Sequence, residues 1–340
     1  ELRAEGKVAI TAARDALLGA ASKVIVDGDG VAESTSEATF SAGGHTTVAG
    51  EVTTLNSVTI TAADDITLTG RVTATHLIEA IAGTDGSGSI TGDIYTALTT
   101  FASQINLSAG ILSGDITLEG STISESATTG TIRLQALGGS VSQTGVIATT
   151  HQLTVRAAHG VVTTTAASVL DVQNSVSGDI TLFNVGDASV VGALSNPGGK
   201  ISVTNLGALG VETIAAAGDI SLETTGALTV ADDALISGGV LTIDAPIGSL
   251  NLHTQVSGIV LTTRRQGDVV IDNRGTGTLD LRAAIANGSL NVTTAGSLTA
   301  TRVVSLTNAD ANDIRLQAAG ALQIGWVSAG EYAEIGRAHV

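Results

Sequence analysis

One motif recurs along this chain and limits its possible folds more than any other feature: an apolar-x-apolar couplet, a few small or polar residues, then a second couplet starting eight residues after the first. Residues 218–230, GDISLETTGALTV, show it clearly. Ile220 and Leu222 alternate with Asp219, Ser221 and Glu223, the period-two signature of a strand with one buried face. Gly226 turns the chain, and Leu228 and Val230 begin the next strand. The same ladder opens at Val8 (VAITAARDALL), Val58 (VTITAADDITL), Leu153 (LTVRAAHGVV), Leu290 (LNVTTAGSLTA) and Ile314 (IRLQAAGALQI). Self-similarity of this kind marks a solenoid, in which each unit is too small to bury its own face and must stack on its neighbours.

From the middle of the chain onward, Gly178, Gly199, Gly218, Gly239, Gly258 and Gly277 precede successive strands, a spacing of roughly twenty residues that suits one coil of a parallel β-helix. Gly226, Gly248, Gly267, Gly288 and Gly296 start the strands of the other faces. The expectation is an all-β, right-handed parallel β-helix. Its inward stacks would include Ile220, Leu222, Leu228, Val230, Leu290, Val292, Leu298, Ile314, Leu316 and Leu322. Residues 12–21, AARDALLGAA, read as helix by composition, but they align with 62–68 and 224–230 and are therefore taken as strand, turn and strand.

No shift of composition divides the chain, so residues 1–333 read as one continuous β-helical domain, with the pattern loosened over 27–45 and 83–101. Hydrophobic residues reach 43% while aromatics are only 2%, as a narrow interior of stacked aliphatic side chains requires. Glycines number 42 against 2 prolines, which fits many tight corners between short strands whose ladders cannot lose N–H donors. The sequence has no Met, so it is expected to be an internal piece of a longer protein. Its last seven residues, 334–340 (EIGRAHV), are what one reading frame of a common sequencing adapter encodes, and they are expected to be an artefact of sequencing and are set aside.

The net charge of −17 excludes long-range attraction to nucleic acid or anionic lipid. There is no cysteine, hence no disulfide framework and no thiolate metal site, a composition that suits export in an unfolded state. No apolar run is long enough to span a bilayer.

Parallel β-helices also carry polysaccharide lyases and hydrolases, so clustered carboxylates need weighing. The candidates are Asp64 with Asp65, Asp232 with Asp233, His159 before Gly160, and Arg264 with Arg265. In the repeat alignment Asp64, Arg14, Gly226, Gly296, Gly320 and His159 share one corner position, which faces solvent, and Asp232 and Asp233 follow a strand end where turn formers belong. No catalytic, cofactor-binding or metal-binding residue is assigned on this evidence. The oxygen-rich turns at Asp27-Gly28-Asp29-Gly30 and Asp85-Gly86 lack the distal Glu of an EF-hand and any nonapeptide calcium array, so they read as solvated turns. His45, His76, His151 and His253 show no ligand spacing. The triplets at Asn106, Asn287 and Asn291 match the glycosylation acceptor pattern by composition alone. Trp326 and Tyr332 read as packing residues.

The strings GDISLETTGALTV, GDITLEGSTI, GSLNVTTAGSLTA and GALQI resemble the haemagglutination-activity repeats of filamentous haemagglutinin and related two-partner-secretion exoproteins. The resemblance implies the β-helical shaft of a large secreted or surface-exposed bacterial adhesin. It further implies host or neighbouring-cell glycans or proteins as partners, an outer-membrane transporter engaged through regions outside this piece, and no enzymatic activity or cofactor. The family's amino-terminal secretion domain carries its own Asn-Pro motifs, and the comparable string here, Asn196-Pro197-Gly198-Gly199 in mid-chain, reads as a turn. Two alternatives stay open: a β-helical carbohydrate-active enzyme, and a shaft that delivers a toxin domain encoded downstream.

Overall fold

The computed structural model describes residues 1–27, 36–92, 104–118, 122–124 (backbone only), 130–246, 249–307 and 312–330. Gly28 to Gly30 of the DGDG turn, Gly248, Tyr332 and the 334–340 string lie outside the described residues. What is described is a parallel β-solenoid of turns about 21 residues long, with no helix. No helix among these residues is long and apolar enough to cross a membrane. The chain divides into two compact units, Glu1–Leu182 and Phe183–Val340.

In the first unit each strand pairs in parallel with its equivalent one turn later. Val8, Ala38, Val58, Ile78, Ile105, Ile132, Leu153 and Leu170 occupy one register position in successive strands of the longest face. A bend leads to a second face of short strands, Ala16–Leu18, Thr46–Val48, Ile66–Leu68, Ile90–Gly92, Ile116–Leu118 and Val141–Gln143. A third face begins with Leu2–Glu5, Lys23–Asp27, Glu51–Thr54 and Arg71–Thr73. The segment 12–21 thus holds the end of one strand, a bend and a short second strand, as the repeat alignment requires.

Alternation sends every second side chain inward. Val58, Ile60, Ile66, Leu68 and Val72 of a single turn have no exposed surface. Each such aliphatic side chain contributes about 1.5–3 kcal/mol by leaving water, and each is covered chiefly by its equivalents in the turns on either side. At the last inward position before the first bend, Ala42, Ala62, Ala82, Ala109, Ala136 and Ala157 form a buried row that Asn174 ends in the following turn. A small side chain there lets the backbone turn sharply without leaving a void.

The second unit keeps the same construction. Ile201, Ile220, Leu241, Ile259, Leu281, Ala300 and Ile324 stack along one face, and Leu250, Val269, Leu290 and Ile314 along another. Of the expected inward residues, Ile220, Leu222, Leu228, Leu290, Val292, Leu298 and Leu316 are buried, while Val230, Ile314 and Leu322 are half-buried.

Here polar residues fill strand ends on two faces, Asn205 and Thr224 on one and Thr254, Asn273 and Thr294 on another, all five at most 1% exposed. They satisfy one another: Asn184 Nδ2 donates to Asn205 Oδ1 at 2.7 Å, Thr254 Oγ1 donates to Asn273 Oδ1 at 3.0 Å, and Asn273 Nδ2 donates to Thr294 Oγ1 at 3.3 Å. Asn273 Oδ1 also accepts the Val256 N–H at 3.1 Å, and Asn205 Nδ2 donates to the Ala208 carbonyl at 2.8 Å. Because the bend frees backbone groups from the ladder, side-chain amides and hydroxyls there replace the lost partners.

Candidate functional site

The grouping of titratable side chains that most resembles a site lies at the first bend of the first unit. The bends at 13–15, 43–45 and 63–65 are short, whereas those at 83–89 and 110–115 are longer and leave a cleft of about 480 Å³ beside the shorter ones. His45, Asp64, Asp65 and Asp115 face it, together with Ser87, Ser89 and Ser113.

The residue just before each second-face strand stitches its turn to the next. Asp15 Oδ1 accepts the His45 N–H at 2.9 Å, and His45 Nδ1 accepts the Asp65 N–H at 3.4 Å. Asp65 Oδ1 accepts the Ser89 N–H at 2.9 Å, Ser89 Oγ accepts that of Asp115 at 3.1 Å, and Asp115 Oδ1 that of Ser140 at 2.7 Å. The device recurs in the second unit, where Asp187, Asp219 and Asp268 accept the N–H groups of Ala208, Val240 and Ser289. With Nδ1 acting as acceptor, the proton of neutral His45 sits on Nε2, which lies 3.7 Å from Asp64 Oδ2. One oxygen of Asp65 and one of Asp115 are therefore committed to backbone, and the cleft retains their second oxygens, the Asp64 carboxylate and the His45 imidazole.

Chemically the cleft can attract a cation or a hydrogen-bond donor. The His45, Asp64 and Asp65 side chains are each about half exposed, so water surrounds the carboxylates and the low-dielectric environment that separates an acid from a base is missing. Among the described residues no three His, Asp or Glu side chains are arranged to hold a metal ion.

The other sequence candidates stand apart from this cleft. His159 does occupy a solvent-facing corner, where its Nδ1 lies 2.9 Å from Ser177 Oγ. Asp232 and Asp233 are exposed on a turn of the second unit. Arg264 pairs with Asp244 at 2.5 Å, which raises its basicity through that hydrogen bond, and Arg265 is exposed. Asp27 takes an ion pair from Arg3 at 2.5 Å, and Asp85 caps its own turn by accepting the Ser87 N–H at 3.1 Å. Of the three acceptor triplets, Asn106 and Asn291 sit within strands and Asn287 is bonded by Asn312 at 3.0 Å.

His45 carries no ligand spacing in sequence, and the stack sets it beside Asp64 and Asp65 because side chains meet across turns and not along the chain. Trp326 is not a packing residue: it is 63% exposed on the strand Leu322–Ala329, beside Arg302 in register.

No family model, curated protein or solved structure matches the chain.

Proposed function

We propose that the chain is a shaft segment of a secreted or surface-exposed bacterial adhesin, similar to filamentous haemagglutinin, which works by stiffness and repetition and not by catalysis. The observation that carries this reading is the parallel stacking of the described strands in each unit, in which Val8 to Leu170 and Ile201 to Ile324 mark equivalent positions in successive turns, with local register shifts at Thr149/Gln152 and Leu281/Arg282. A stack of this kind presents outward rows of Thr, Ser and Asn at a constant spacing of about 4.8 Å, so weak contacts with a cell-surface glycan or protein add through effective concentration. Asp65, which looks reactive in sequence, is used for stitching, as is Asp115.

The test is saturable binding of the labelled chain to epithelial cells and to bacterial cells, competed by unlabelled chain. Absence of competable binding to either would remove the adhesin reading. A second reading, a β-helical polysaccharide lyase or hydrolase, is favoured by the His45, Asp64, Asp65 and Asp115 cleft. It predicts new reducing ends from acidic polysaccharides and their loss in Asp64→Asn; an inactive parent chain disposes of it.

A further inference from the structure

Most bends between the first two faces of the first unit carry Gly, Ser, Asp or His, the residues a solvent-facing turn favours. Two consecutive turns depart from this. Ile111 and Leu112 are 67% and 75% exposed, and Leu137 in the following turn is 48% exposed. Their backbones stack closely. The Leu112 N–H donates to the Gly86 carbonyl at 2.8 Å, a Cβ on Gly86 would lie 2.9 Å from Leu112 Cδ1, and one on Gly138 would lie 2.6 Å from the Leu112 carbonyl carbon. Glycines on both sides therefore let Leu112 lie across bare backbone, with Leu137 adjoining Gly138. The inward row of Ala82, Ala109 and Ala136 is already filled beneath them. Solenoid packing gives these three aliphatic side chains nothing to do, and a Leu kept in water forgoes about 1.5–3 kcal/mol of burial.

Carboxylates cluster beside them, with His45 in the same cleft. Asp85 adjoins Gly86 and is exposed, and Asp64, Asp65 and Asp115 line the neighbouring cleft. Among the described residues, Asp64 and Asp65 pair only with His45, and no lysine or arginine pairs with Asp85 or Asp115. We infer that this corner docks a cationic amphipathic polypeptide segment of a partner protein. Its apolar side chains would cover Ile111, Leu112 and Leu137, and its Lys or Arg heads would lie against the four carboxylates. The sign of the charge selects this occupant. A second copy of the chain, with a net charge of −17, is repelled, as are anionic lipid and nucleic acid. A neutral apolar partner would bury carboxylates without pairing them. The inference does not rest on the adhesin reading, and a chain that binds no cell would leave the following experiment intact.

The whole chain is titrated by fluorescence anisotropy with a short labelled peptide that alternates leucine pairs and lysine pairs. Two control peptides replace Lys by Glu or Leu by Ser. Saturable binding of the leucine–lysine peptide alone is expected. Ile111→Ser with Leu112→Ser should weaken it by about tenfold or more, the equivalent of burying part of two aliphatic side chains. Asp64→Asn with Asp85→Asn should weaken it more at low salt than at physiological salt. Asp232→Asn with Asp233→Asn, on an exposed turn of the second unit, should leave it unchanged. Leu137→Ser serves as an independent apolar variant should the double serine variant lose its thermal transition. The inference is overturned if the peptide does not bind, if either control peptide binds as well, if the serine variants bind like the parent, or if the Asp232 and Asp233 variant weakens binding as much as the corner variants do.

Discussion

At the scale of single residues, glycine separates two kinds of constraint that the fold imposes. Gly186 has φ of +103° with open space where a Cβ would go, so Gly186→Ala meets only backbone strain, about 1–2 kcal/mol. Gly92 has φ of +113°, and its Cβ would stand 1.8 Å from the Leu68 carbonyl oxygen, at a register position where the adjacent strands carry Leu68 and Leu118. Gly92→Ala should therefore cost more than Gly186→Ala, with strain of up to about 3 kcal/mol augmented by the displaced carbonyl. Urea midpoints at an unchanged slope measure both, and equal midpoints for the two variants would refute the distinction. The sequence marks both positions only as glycines. Whether a glycine is there for its φ or for a neighbour's approach depends on the adjacent turn, which local spacing does not reveal.

At the scale of elements, the corner rows determine how one strand passes into the next. Asn273 takes part in three hydrogen bonds in a site 1% exposed, so Asn273→Ala should cost about 1–3 kcal/mol by orphaning Thr254, Val256 and Thr294. Chemical denaturation checks this, and a variant as stable as the parent would mean that water fills the gap. The repeat alignment already places Ala62, Thr224 and Thr294 in one column. Read without structure they look like corner filler, because only the continued pleat shows that this position points inward. The acidic corners supply a pH dependence. The Val240 N–H, and next the Lys200 ammonium, hold the Asp219 carboxyl below its usual value near 3.8, and the Lys23 ammonium does the same for Glu51. A carboxyl depressed in the folded state gives stability that is fully present above its unfolded value and is lost as pH falls through the folded one. Thermal midpoints should accordingly fall as the pH drops below about 4, within the ordinary carboxylate range, and Asp219→Asn should flatten that fall. An unchanged slope in the variant would show that Asp219 does not contribute.

At the scale of the whole molecule, a parallel stack has no single core, so stability is a sum over neighbouring turns. The solenoid was legible because its period repeats through the sequence, whereas the cleft was not, since His45, Asp65 and Asp115 meet only across turns whose stacking the sequence leaves implicit. The same logic predicts where damage spreads. Leu222 has no exposed surface and lies between Val203 and Ile243 in the turns on either side. Leu222→Asp buries a carboxylate with no cation in reach of an aliphatic stack, at a cost of several kcal/mol unless the turn opens to water. Opening is the cheaper response, because a turn exposed on one side has lost only its neighbours' cover. Hydrogen exchange should then show protection lost first in Ile201–Leu206, Ile220–Thr224 and Val240–Ala245, while Gln104–Ala109 and Thr131–Ala136 in the other unit keep theirs. Uniform loss of protection across all of these strands would instead indicate that the chain unfolds as one cooperative body, and the nearest-neighbour account would fail.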